Sequence, residues 1–426
     1  MNITKDEGGR QNKEEELKGL PKLFIEPPMQ PTQTGLAGVR FDFNSGCRVE
    51  LPPIGKNGER WRLRLSDLVT ANIIFEVESD GGSYRSTKQY FIPFRIEVWR
   101  GGDKVFEHEY FAREKDVQVQ IPVGTMGDAI AWFSYVDLFQ RSHQCKLTCV
   151  ISEVMMPLFE DEYPNIHFVT NKEAEKIQQK FYATYRLGLF FNDVDCVHQP
   201  VDFRYVGLNK TAAHILGVEA VELAPKISVS NKGRLIKEPY VCIAAQASTQ
   251  CKYWNNPFGW LEIVSWLKQS GYRVICIDRD KVWGQGLSWN YIPHGAEDMT
   301  GALPLSERAL ILRDASFFVG LSSGLAWLAW AVGVPVVMIS GFTHPNNEFH
   351  TPFRVFNTHA CTGCWNDPAH SFDHFDFMWC PRHKNTERQF ECTKLITVDH
   401  VKMVISSIPG FLGKAFNKKL PIKEVV

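Results

Sequence analysis

Four cysteines in the last quarter of the chain are spaced Cys361-x2-Cys364-x15-Cys380-x11-Cys392. A C-x2-C knuckle sets two thiolates on one turn, and two later cysteines complete a tetrahedron. The stretch between them carries aromatics such as Trp365, Phe372 and Trp379 but almost no aliphatic residues. Gly363, Asn366, Pro368, His370 and His374 break any regular pattern. Burial alone orders such a loop poorly, so the spacing predicts a metal that supplies part of its core. On spacing, zinc comes first and rubredoxin-like iron second; the bland alternative is four unconnected thiols. Four protein ligands leave no position open, so the expected ion is structural. His359, His370, His374 and His383 stand nearby as substitute ligands.

Three further segments place polar groups where strands give way to helices. The turn Gly124-Thr125-Met126-Gly127-Asp128 puts a carboxylate at a helix N-terminus. There it can accept a proton from an attacking hydroxyl, or simply cap the helix. Gln246-Ala247-Ser248-Thr249-Gln250-Cys251-Lys252-Tyr253-Trp254 offers hydroxyls and an ammonium beyond a strand. That set suits a diphosphate leaving group; a solvated turn is the bland reading. Gly320-Leu321-Ser322-Ser323-Gly324-Leu325 repeats the strand, small-residue turn and helix, the arrangement in which backbone amides meet an anion. Two Asp-x-Asp triplets, Asp193-Val194-Asp195 and Asp278-Arg279-Asp280, read first as solvated loops. Asp278 follows a strand and is also placed to bind ribose hydroxyls.

The elements that must position these groups fall into a sequence of domains. Residues 1–20 are polar and expected to form a flexible arm. Residues 21–116 alternate apolar and polar residues, as in Trp61-Arg62-Leu63-Arg64-Leu65, with glycine pairs between runs, and predict a β-rich domain. Residues 117–230 and 231–426 each repeat strand, turn and helix, which predicts two Rossmann-like halves facing a cleft. In the first, strands are expected at 117–123 and 146–151, a turn at 124–128 followed by a helix through 140, and helices at 174–184 and 210–216. In the second, strands are expected at 240–245, 272–277, 317–320 and 336–339, with helices at 260–269, 305–314 and 325–331. Residues 223–239 read as a linker, 358–395 as the metal loop and 396–411 as a closing helix.

The 47 Lys and Arg against 48 Asp and Glu give a formal charge of −1. Neither nucleic acid nor an anionic membrane rewards that balance as a principal partner. No apolar run approaches the roughly 20 residues of a membrane span, and no signal peptide is visible. Eleven cysteines, several alone in apolar strands, fit a reducing, cytoplasmic setting.

Met126-Gly127-Asp128, Ser248-x3-Lys252-x-Trp254, Asp298-Met299-Thr300-Gly301 and Ser323-Gly324-Leu325-x2-Leu328 together resemble the heptosyltransferases of glycosyltransferase family nine. Those enzymes have the two-Rossmann GT-B fold. With the β-rich front and the cysteine quartet included, nearly the whole chain is similar to the bacterial autotransporter heptosyltransferases, which modify serines of adhesin passenger domains in the cytoplasm. The resemblance implies ADP-heptose as donor, no catalytic divalent metal, and large oligomers, dodecamers in number. It implies Asp128 in the position of the base beside Thr125, Met126 and Gly127. It places Ser248, Thr249 and Lys252 near the diphosphate, and Thr300, Gly301, Ser322, Ser323, Gly324 and Leu325 around the nucleotide. It implies iron, not zinc, on the quartet. One departure stands out: Ser322 occupies a place where core heptosyltransferases usually carry an aspartate. The rivals are a lipopolysaccharide-core enzyme, a non-catalytic metal-stapled assembly module, and a metal-dependent GT-A enzyme using Asp278-Arg279-Asp280.

Overall fold

The computed structural model describes residues 24–55, 58–122, 125–177 and 180–413. The expected arm at 1–20, and Val123 and Gly124 of the expected strand and turn, lie outside them. An eight-stranded sheet runs in the order Ile166–Val169, Lys146–Ile151, Asp116–Ile121, Ala183–Arg186, Arg40–Asn44, Arg48–Leu51 and Gly82–Arg85, with Gln33–Thr34 paired to Arg40–Asn44. The first five strands in that order are parallel. The remaining pairings are antiparallel.

Part of the front segment therefore shares a sheet with the first α/β half, which corrects the boundary at 116/117. That boundary falls inside Asp116–Ile121, and Ala183–Arg186 pairs with both this strand and Arg40–Asn44. The reason is a buried charge. Asp42 looks solvent-facing in the alternating run, yet it is 0 % exposed and accepts from Arg48 Nε and Asn44 Nδ2, both at 2.7 Å. Paired and hydrogen-bonded, the carboxylate is tolerated inside, and the strand is covered on both faces.

The rest of the front segment matches its pattern. Ile73–Ser79, Trp61–Asp67, Phe94–Arg100 and Asp103–Glu109 form a four-stranded antiparallel sheet. Trp61, Leu63 and Leu65 are buried, and Arg62 and Arg64 between them face outward. The helix expected at 174–184 is a second correction. Asn171–Ala174 is a single turn with a Thr170–Glu173 capping box, and Ala183–Arg186 is a strand. Ala183, Thr184 and Tyr185 are buried in succession, so no period of two marks them.

The second half holds a parallel sheet in the order Glu297–Asp298, Arg273–Cys276, Tyr240–Ala244, Phe318–Leu321, Val336–Ile339 and Arg354–Val355. Tyr240–Ala244, Phe318–Leu321 and Val336–Ile339 are buried throughout, as strands covered on both faces require. The hairpin Val282–Gln285/Ser288–Tyr291 leaves this sheet, and sequence reasoning did not anticipate it. The closing helix is shorter than expected, Val398–Ser406.

Three helices position the cleft: α1 (Met126–His143), α2 (Leu208–Leu216) and α3 (Gly324–Ala331). Every residue from Ala129 to Val136 of α1 is buried. A helix apolar on all sides needs cover on all sides, and α2 and α3 supply it. Trp132 Nε1 of α1 donates to the Leu208 carbonyl of α2 at 2.8 Å, which satisfies the one polar atom of a large buried ring.

Candidate active site and metal loop

The two halves meet where α1 and α3 begin. A methyl group at Gly324 would lie 2.9 Å from Met126 Cε and 3.3 Å from the Gly127 nitrogen, and one at Gly127 would lie 3.2 Å from Trp327 Cδ1. The missing side chains of these two glycines allow this close approach of two helix N-termini. It brings the Asp128 turn of one half beside the Ser322–Leu325 turn of the other.

Asp128 lies in the first turn of α1 and is half-buried. Burial lifts its carboxyl above the ordinary value, while the Thr125 hydroxyl, which donates to Asp128 Oδ2, and the Lys252 ammonium pull it back. A carboxylate raised in this way is a better proton acceptor. The Lys252 charge thus acts on Asp128 across the seam between the two halves.

Lys252 ends the short turn Gln250–Lys252. Its Nζ lies 5.6 Å from the Phe342 ring centroid and 6.0 Å from that of Trp365, so two aromatic faces hold it by cation–π attraction. Trp365 follows Cys364 directly. The Lys252 charge also helps burial to lower the His374 imidazole. The expected metal loop thus walls the cleft on the Lys252 side, a placement that its cysteine spacing did not reveal.

Other expected donor residues divide. Ser248 is exposed at the mouth of the strand, whereas the Thr249 hydroxyl is buried against Cys251 Sγ at 3.2 Å. The Thr300 hydroxyl and amide donate to Asp298, which these contacts and Lys281 hold down to about 2. Gly301, at φ +107°, turns the chain there, and buried Arg308 grips its carbonyl. Ser322 donates to Glu348, and the buried Ser323 Oγ has no partner among the described residues. Leu325 is half-buried at the start of α3.

Asp278 is a correction. It is 2 % exposed and accepts from the Ala245 and Gln246 amides at 2.8 and 3.2 Å. Burial pushes it up to about 6 against those bonds. It braces two strand ends instead of reaching a ribose, and a triplet with one member turned inward offers no paired metal ligands. Asp193 likewise organises a loop, accepting from the amides of Val197, His198 and Gln199.

The four expected metal cysteines lie in one loop and act on one another's titration, but among the described residues no three of their sulfurs lie within 4.8 Å of one another. Cys364 is pushed up to about 12 by burial first, then by its neighbours Cys361 and Cys380. Cys392 is raised by burial and by Cys364, Cys251, Cys380 and Cys361. Thiols that act on one another in this way favour a cation that binds them as thiolates. The ligand atoms that do lie within 4.8 Å of one another are Cys361 Sγ, a His383 ring nitrogen and a Glu391 carboxylate oxygen. Glu391, however, already accepts from Arg388 and from the Cys361 amide. Phe342, Trp365, Phe372 and Trp379 pack edge to face beside the thiols. All eleven cysteines are free, and among the described residues no helix is long and apolar enough to cross a membrane.

Sequence reasoning missed Phe342 and Glu348. Glu348 is buried, pairs with Arg354 at 2.9 Å, and lines a cavity of about 540 Å³ with Asn209, Lys210, Glu222 and His350. The signal was the polar run Asn346-Asn347-Glu348 beyond the strand Val336–Ile339, at the ligand-binding edge of the sheet.

Comparisons with known proteins agree with the fold. Residues 35–102 match the family model for the N-terminal domain of glycosyltransferase TibC, and residues 198–371 match glycosyltransferase family 9 (heptosyltransferase). Autotransporter heptosyltransferase TibC of Escherichia coli O78:H11 is 50% identical over 388 residues, 91% of this chain and 93% of that protein. A Citrobacter rodentium autotransporter heptosyltransferase is 49% identical over 94% of this chain and 96% of its own length. An autotransporter heptosyltransferase of Burkholderia thailandensis described as inactive, BimC, is 43% identical over 91% of this chain and 90% of its own. The crystal structure of dodecameric iron-containing heptosyltransferase TibC in complex with ADP-D-β-D-heptose superposes with a TM-score of 0.85, at 49% identity, over 90% of this chain and 99% of TibC. The chain therefore belongs to the autotransporter heptosyltransferases of glycosyltransferase family 9 and has their GT-B fold.

Proposed function

We propose that the protein transfers heptose from ADP-heptose to serine hydroxyls of an autotransporter adhesin passenger domain, in the cytoplasm and as a dodecamer. This reading is supported by the close approach of the two helix N-termini, α1 and α3, and by the Lys252 charge acting on Asp128 across that seam. In the proposed step, Asp128 takes the serine proton as the oxygen attacks the anomeric carbon. The bond from that carbon to the phosphate oxygen breaks, and the electron pair leaves with ADP. Lys252, Ser248, Thr300, Gly301 and the Ser322–Leu325 turn hold the donor, and Lys252 offsets the charge of the departing diphosphate. Thr249 and Asp278 support the loops from behind.

Iron on Cys361, Cys364, Cys380 and Cys392 is proposed as a structural ion, with zinc the alternative. The influence of these thiols on one another and the engagement of Glu391 by Arg388 support this set over Cys361, His383 and Glu391, although the latter three ligand atoms lie within 4.8 Å of one another. When bound, the ion cross-links the loop and leaves the chemistry to the side chains.

Transfer to an adhesin passenger and to truncated lipopolysaccharide, compared without added divalent metal, tests the reading. Label on the passenger alone is expected. Label only on the lipid, or a strict need for added metal, would assign the site to a rival.

A further inference from the structure

Ser322 and Glu348 differ from every other polar group of the α3 turn in how they are tied. The Ser322 hydroxyl donates its one hydrogen to Glu348 Oε1. The Glu348 side chain is 0% exposed, and its other oxygen accepts from Arg354 Nη1 at 2.9 Å. Asn347 Nδ2 approaches Oε1 at 3.4 Å, and Asn347 Oδ1 accepts from Trp365 Nε1 at 3.1 Å. The carboxylate is thus fixed from three sides. A hydroxyl has one hydrogen to give and two lone pairs to accept with. With the hydrogen committed to Glu348, Ser322 meets a ligand as an acceptor.

An acceptor oxygen repels a phosphate oxygen and welcomes a sugar hydroxyl. The carboxylate behind it has the same sign preference, since negative charge at a helix N-terminus already meets the dipole that would otherwise draw a phosphate. We infer that Glu348 is a positioning residue which, through Ser322, makes the start of α3 a subsite for hydroxyls of the transferred sugar and turns the diphosphate toward Lys252. This rests on the donor-site reading above and deepens it, reversing the anion role that the turn Ser322–Leu325 suggests by itself.

The test is binding of ADP and of ADP-heptose, measured by calorimetry on full-length, metal-loaded protein. In Ser322→Ala the Glu348–Arg354 pair stays intact, so folding is not at issue. ADP-heptose affinity is expected to fall at least about tenfold, with ADP affinity changed less than about threefold. Ser322→Thr keeps the hydroxyl and is expected to restore the discrimination, while Glu348→Gln follows Ser322→Ala. Equal loss of both ligands in Ser322→Ala would mean that Ser322 holds phosphate and would overturn the inference. No change for either ligand would overturn it as well. Wild-type protein that binds neither ADP nor ADP-heptose would instead remove the donor-site reading, and this subsite with it.

Discussion

The two walls of the cleft are built on different physical principles. The Asp128 wall is the start of an 18-residue helix whose residues from Ala129 to Val136 are all buried. Apolar burial at roughly 25 cal/mol per Å² holds it in place. The Lys252 wall leans on the loop around Cys361–Cys392, where aromatics and polar turns replace aliphatic packing and four expected metal cysteines act on one another. The base stands on a self-supporting scaffold, and the cation stands on one that needs a cross-link. Losing the cross-link should therefore damage donor binding and assembly, and losing Asp128 should damage the chemical step alone.

Asp128→Asn gives the largest expected effect. A positioned base contributes about 10²–10⁴-fold, so kcat should fall by that order while ADP-heptose affinity stays near wild type. A variant that keeps more than a tenth of the rate would blur the contrast between the walls. Cys361→Ser with Cys364→Ser comes next. Soluble yield and bound metal should drop, and the fraction that remains should show a raised KM for the donor as Trp365 lets go of Lys252. Metal-free protein in normal yield with an unchanged KM would show that the loop stands unaided.

Gly324→Ala is expected to cost about 1–3 kcal/mol, as overpacking does, because the added methyl lies 3.0 Å from Met126 Cβ and 3.3 Å from the Gly127 nitrogen, which rotamer changes cannot move. Urea unfolding checks it, and an unchanged midpoint would mean that the seam is looser than described. The smallest effect is on pH. Asp128 must be ionised to accept a proton, so kcat/KM should fall as pH drops through its pKa, which burial sets above the usual value of about 3.9. Thr125→Ala removes a contact that lowers that pKa, so the acid limb should move to higher pH. Movement to lower pH would contradict the assignment.

Legibility followed the same divide. Lys146–Ile151 and Val336–Ile339 end where their apolar runs end, because parallel strands covered on both faces announce themselves by composition. Ala183–Arg186 did not, since Thr184 is buried by a hydrogen bond to Asn44. Asp42 disguised an inner strand as a surface one in the same way. In the site, Asp128, Lys252 and the cysteines were visible as residue types at strand ends or at fixed spacing. That Phe342 and Trp365 cradle Lys252, and that Glu348 reaches Ser322 across 26 residues, depends on how a loop without period folds back.

The most direct test is intact-mass analysis of an adhesin passenger fragment incubated with ADP-heptose and the folded, metal-loaded protein. Increments of one heptose are predicted with wild type and none with Asp128→Asn. Equal increments with both proteins, or none with wild type, would contradict Asp128 as the base that transfers heptose across this seam.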